Sequence, residues 1–192
     1  VFFGGVLRTL KEKTFGSWNI EITEVKGKDT PATEGFDFYI FEHTVPKVLP
    51  KDGIIFLVNP DSSADAGFSI VRRNVQVTDY DGDGASLAIG DGEHPLVRYM
   101  DVEGIKVTQY SQVDEASLER YDVLMYYEGN PVFFARNEAD SKIAVMTFSL
   151  NMSTLALSVY YPILIYNMFN YYLPSTLTED LCDVYDTIEV NA

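Results

Sequence analysis

A mixed α/β domain is what this sequence predicts, on three observations. Residues 142–149 form a short apolar strand that passes through a polar turn into the apolar helix candidate 161–173, the order in which an α/β domain closes. Residues 36–41 and 54–58 are continuous apolar runs bounded by Pro, Gly and Asp, the pattern of parallel strands covered on both faces. Residues 122–127, 131–136 and 142–149 are strand candidates joined by links so short that antiparallel hairpins are expected.

The remaining elements follow in order. Apolar residues at positions 2, 3, 6, 7 and 10 recur at helical spacing and predict an N-terminal helix packed on a sheet. Trp18, Ile20 and Ile22 alternate with Asn19, Glu21 and Thr23, which predicts a half-covered strand near an edge. Residues 26–35 read as a polar loop. The stretch 45–53 is too short and too rich in proline for a crossover helix, so a compact connection of at most one turn is expected there. From residue 59 to residue 93 the chain is rich in Asp, Gly, Ser and Ala and reads as a flexible excursion, with one β-rich island at 69–78. Residues 102–109 suggest a further strand, and Asp114 suits the cap of a short helix through Arg120. Residues 174–192 form a tail whose strand candidate, 184–190, suits the start of a following domain.

Composition narrows the function. A chain of 192 residues with 46% hydrophobic and 14% aromatic content can bury a sizeable core. Its formal charge of −15 opposes binding to nucleic acid and to anionic membrane surfaces. The lone Cys182 excludes an internal disulfide and a cysteine-rich metal site. Residues 1–7 lack the basic region of a signal peptide and the chain starts on valine, which reads as a fragment of a longer polypeptide. The apolar run 159–173 is interrupted by Asn167 and Asn170 and falls short of the about 20 residues a membrane span needs.

No catalytic constellation emerges, and no catalytic, cofactor or metal residue is assigned. Residues following the strand 142–149, where α/β folds place chemistry, are Asn151, Met152, Ser153 and Thr154, with no cysteine, histidine or acid among them. Asp79, Asp81, Asp83 and Gly84 match the opening of a calcium loop, but position twelve is Gly90 where a bidentate Glu is needed. A plain acidic turn explains them. His43 and His94 stand in no metal-ligand spacing, and Cys182 lies between acidic neighbours that raise a thiol pKa. The aromatics Tyr160, Tyr161, Tyr166, Phe169, Tyr171 and Tyr172 circle the final helix candidate, as core packing or as an interface to a neighbouring domain.

The order of several short motifs is recognisable. These are Phe36-Asp37-Phe38-Tyr39-Ile40-Phe41, the pair Pro46 and Pro50, Gly53 through Pro60, His94-Pro95-Leu96, Gly129-Asn130-Pro131-Val132, Thr147 through Ser153, and Tyr161-Pro162-Ile163-Leu164. Together they resemble, over residues 1–173, the class I glutamine amidotransferase-like domain of bacterial membrane proteins that also carry a von Willebrand factor A domain. The resemblance implies a flavodoxin-like, three-layer α/β core with additional antiparallel hairpins. It also implies a membrane-associated parent protein, an extracytoplasmic position and a neighbouring von Willebrand factor A module as partner. Any membrane attachment would run through parent-chain segments outside this stretch. Active members of the wider family place a cysteine on the turn after a central strand, with His and Glu later. Here that turn reads Asn59-Pro60-Asp61 and no later His-x-Glu occurs, so amidotransferase activity is not expected. The expectation is a non-catalytic scaffold or interaction module. Its alternatives are a hydrolase using a metal held by acidic residues, and a ligand-binding module using exposed aromatics.

Overall fold

The computed structural model describes residues 20–25, 32–77 and 86–173. The N-terminal helix candidate, Trp18, the acidic turn at Asp79, Asp81 and Asp83, Cys182 and the tail 174–192 lie outside them. The described chain is a mixed α/β fold with one α-helix among the described residues. Among the described residues eight strands are formed: β1 (Phe38–Glu42), β2 (Ile54–Val58), β3 (Ile70–Gln76), β4 (Leu87–Ile89), β5 (Gln109–Val113), β6 (Asp122–Tyr127), β7 (Asn130–Glu138) and β8 (Ser141–Met146). Helix α1 (Tyr160–Tyr172) follows two short 3-10 turns.

The main sheet has six strands in the order β1-β2-β8-β7-β6-β4. Strands β1, β2 and β8 run parallel, and β8, β7, β6 and β4 continue antiparallel. Every residue of β2 is buried, as an apolar run between two parallel neighbours predicts. The side-chain period of two divides the core between the faces of the sheet. Ile54, Phe56 and Val58 of β2, with Ala144 and Met146 of β8, join Leu164, Ile165 and Met168 of α1 on one face. Ile55, Leu57, Ile143 and Val145 turn to the other face and meet Leu49, Ala66, Phe68, Leu118 and Tyr121.

The hairpins form as expected. Glu128 and Gly129, both at positive φ (50° and 76°), make the two-residue turn between β6 and β7, a conformation whose twist suits antiparallel strands. Asp114 caps the 3-10 turn Glu115–Leu118 by accepting from the Ala116 N–H at 3.2 Å. The β1 to β2 connection contains no helix, as its prolines dictate.

Three expectations are corrected. The excursion 59–93 holds β3 within the island expected at 69–78, paired with β5 in a second, two-stranded sheet, but also an unexpected strand, β4, which closes the edge of the main sheet against β6. The strand expected at 102–109 starts at Gln109. Before it, Gly104 at φ 75° and the Ile105 N–H to Val102 carbonyl bond make a turn, leaving one bridge at Val107. Ile20 and Ile22 are half-buried and Glu21 and Thr23 exposed, as the alternation predicts, yet residues 20–25 form no strand. Their burial comes from packing on the core, where Ile20 lies, rather than from a ladder.

Candidate functional site

Ligands of open α/β sheets bind outside the carboxyl ends of the parallel strands, and in this chain that edge is formed by the ends of β1, β2 and β8. Two residues there have left-handed backbone, His43 (φ 66°) after β1 and Asn59 (φ 42°) after β2. Asn and His are among the residues that tolerate this region. Both positions are fixed by backbone bonds. The His43 N–H donates to the Val58 carbonyl at 2.9 Å, the Asn59 N–H to the Met146 carbonyl at 2.7 Å, and the Asp61 N–H to the His43 carbonyl at 2.9 Å.

The side chains then form a relay. The Ser111 hydroxyl on β5 donates to Asn59 Oδ1 at 3.3 Å, and Asn59 Nδ2 lies 3.2 Å from His43 Nδ1. Ser111 is 1% exposed, and its N–H donates to the Thr147 carbonyl at 2.8 Å. Beside it, the Thr147 hydroxyl is buried and has no hydrogen-bond partner among the described residues. Tyr161 is buried beneath the same edge. Burial, and secondarily the Glu42 carboxylate, push its phenol far up, so it stays protonated.

Chemically the relay is neutral at its centre. A serine becomes a nucleophile when a base takes its proton, and the group accepting from Ser111 is a carboxamide, which is no base. His43 is separated from Ser111 by that carboxamide.

The residues singled out after β8 are put to structural use. Thr154 Oγ1 accepts from the Lys106 N–H at 3.0 Å, the Met152 carbonyl accepts from Thr108, and the Ser149 hydroxyl donates to Asn151 Oδ1 at 2.7 Å. These bonds stitch the 150–154 segment to 106–108. The histidines do not meet. The ring of His94 packs on Tyr171 with centroids 5.1 Å apart, its Nδ1 accepts from the Leu96 N–H at 3.2 Å, and its Nε2 lies 3.8 Å from Asp122. Among the described residues no three His, Cys, Asp or Glu side chains gather as metal ligands. Sequence reasoning missed Ser111 and Thr147, which are brought to the edge only by the β3–β5 sheet and the β8 exit. Asn59 carried a signal, as an αL-tolerant residue directly after an apolar strand.

No protein-family model and no curated protein matches the sequence. Among solved structures, the chain is similar to a cytoplasmic protein from Salmonella typhimurium, with a TM-score of 0.54 and 11% identity over 71% of this chain and 72% of that one. A second cytoplasmic protein, from Salmonella typhimurium LT2, aligns at a TM-score of 0.47 and 11% identity over 62% of this chain and 55% of its own. The expected extracytoplasmic, membrane-associated placement is therefore corrected. The first of these structural neighbours is described as a cytoplasmic protein, and no helix among the described residues is long and apolar enough to cross a membrane. At this identity the likeness extends to the fold alone, and the chain shares its mixed α/β fold with the first of these Salmonella proteins.

Proposed function

We propose that this chain is a non-catalytic, class I glutamine amidotransferase-like module of flavodoxin-like type that works through protein contacts. The observation that carries this reading is Asn59. It holds the left-handed turn directly after the fully buried β2, where the resemblance expects a cysteine, and its carboxamide is tied between Ser111 and His43. In a relay of that composition the one hydroxyl meets a carboxamide, which is no base, and His43 stands behind that carboxamide rather than against the hydroxyl.

Exposed apolar side chains supply a surface for contact. Leu157 and Val159 are 82% and 72% exposed just before α1, with Met152 and Tyr166 also exposed. Exposed large apolar side chains favour contact surfaces where they adjoin. Another domain of the parent polypeptide is the partner class we favour, and a von Willebrand factor A domain is the candidate the resemblance supplies. Of the aromatics behind the ligand-binding alternative, Tyr161, Phe169 and Tyr172 are core residues, Tyr160 and Tyr171 are half-buried, and Tyr166 is exposed. The acidic residues that motivated the metal-dependent alternative, Asp79, Asp81 and Asp83, lie outside the described residues.

A fluorophosphonate probe, which reacts with activated serines, tests the relay. Incubation with the intact chain followed by peptide mass spectrometry is expected to leave Ser111 unmodified. An adduct on Ser111 that disappears in His43→Ala would mean that the hydroxyl is activated after all.

A further inference from the structure

The opposite edge of the sheet, at the amino ends of β1, β2 and β8, opens onto a cavity of about 490 Å³, a size that accommodates a small molecule. Its charge is unlike that of the chain. Lys51, Arg120, Arg136 and Lys142 line it beside Asp37, Asp65 and Asp140, whereas the whole chain has 14 Lys and Arg against 29 Asp and Glu. Cations are thus gathered here within a strongly anionic protein.

Arg136 is the group that demands explanation. It is 6% exposed, its Nη2 donates to the Ser141 hydroxyl at 2.6 Å, and its guanidinium lies 4.9 Å from the centre of the Tyr121 ring. Its Nε is buried with no hydrogen-bond partner among the described residues. Glu138 comes no nearer to that Nε than 3.8 Å and is itself held by Arg120. Leaving a donor of a buried cation unmade is costly. Lys142 keeps spare capacity as well, since among the described residues its ammonium makes one bond, to the Tyr172 carbonyl at 3.1 Å, and it has three protons to offer.

We propose that this cavity binds a small hydroxylated oxyanion, a phosphate or carboxylate compound, with Arg136 and Lys142 as its anion anchors and Asp37 and Asp140 as acceptors for its hydroxyls. Guanidinium and ammonium donors favour oxyanions, and the lining carboxylates disfavour a bare multivalent anion without donors of its own. The site is independent of the elbow relay and stands or falls separately from it.

Isothermal titration of the full chain at low salt tests it, with sodium glycerol 3-phosphate and sodium malate as probes. Saturable heat from glycerol 3-phosphate alone identifies phosphoryl recognition, and from malate, carboxylate recognition. Lys142→Gln and Lys51→Gln, each confirmed folded by circular dichroism, should weaken binding by about tenfold and about threefold, as loss of a charged donor predicts. Arg72→Gln, on the exposed strand β3, should not. The proposal is overturned by the absence of saturable heat from both probes at about 10 mM, by binding that either lysine variant leaves intact, or by binding that Arg72→Gln weakens equally.

Discussion

Gly53 shows how a single position fixes the start of the central strand. Its φ of 67° lies in the left-handed region, and a Cβ there would stand 2.8 Å from the Asp37 carbonyl oxygen and closer still to that of Phe36. Both obstacles are backbone and cannot rotate away. Gly53→Ala should therefore lower stability by about 2 kcal/mol or more, read as a fall in the urea midpoint. His94 supplies a pH dependence. Burial lowers its pKa below 6.5, although the carboxylates of Asp122 and Asp91 pull the other way. The unfolded chain then binds the proton more readily than the folded one, so stability is full above the ordinary histidine pKa and is lost as pH falls through and below it. The Tm difference between the wild type and His94→Gln is expected to change between about pH 7.5 and about pH 5.5, with the wild type losing more. A difference that stays constant over that range contradicts the assignment.

At the scale of elements, β2 and α1 hold the sheet together. Phe56 is fully buried in β2 and meets Phe133 of β7 edge to face at 6.4 Å. Phe56→Ala should cost about 3–5 kcal/mol, measured by denaturant unfolding. Loss of less than about 1 kcal/mol would mean that β2 is not at the centre of the core. In α1, Asn167 broke the apolar run of the sequence for a structural reason. It is buried, and its Nδ2 donates to the carbonyls of Leu96 at 3.2 Å and Arg98 at 2.8 Å, fastening the helix to the irregular segment beneath it. Local pattern made the hairpins, β1, β2 and α1 legible, because apolar runs, turn residues and helical spacing all act over short stretches. The β3–β5 sheet was only half legible. β3 falls within the island expected at 69–78, but it is largely exposed and contains Arg72, Arg73 and Asn74, so no apolar face points to its partner. Its register against β5 carries irregularities that periodicity cannot foresee.

For the whole molecule, the division of labour between the two ends of the sheet is the main consequence. The carboxyl end gathers hydroxyl, carboxamide and imidazole side chains around Asn59, and the amino end gathers cations around Arg136. The first was legible only at Asn59, an αL-tolerant residue directly after an apolar strand, because Ser111 reaches it from 52 residues away. The second was not legible at all. Lys51, Arg120, Arg136 and Lys142 are scattered among 29 acidic residues, and only the parallel alignment of β1, β2 and β8 with the β7–β8 hairpin brings them together. The non-catalytic assignment is met most directly by measuring ammonia release from L-glutamine by the intact chain at neutral pH, beside Ser111→Ala and His43→Ala. A rate equal to that of buffer in all three samples is the predicted result. Turnover by the wild type that either substitution abolishes would contradict it, and would make the relay at Asn59 an active site.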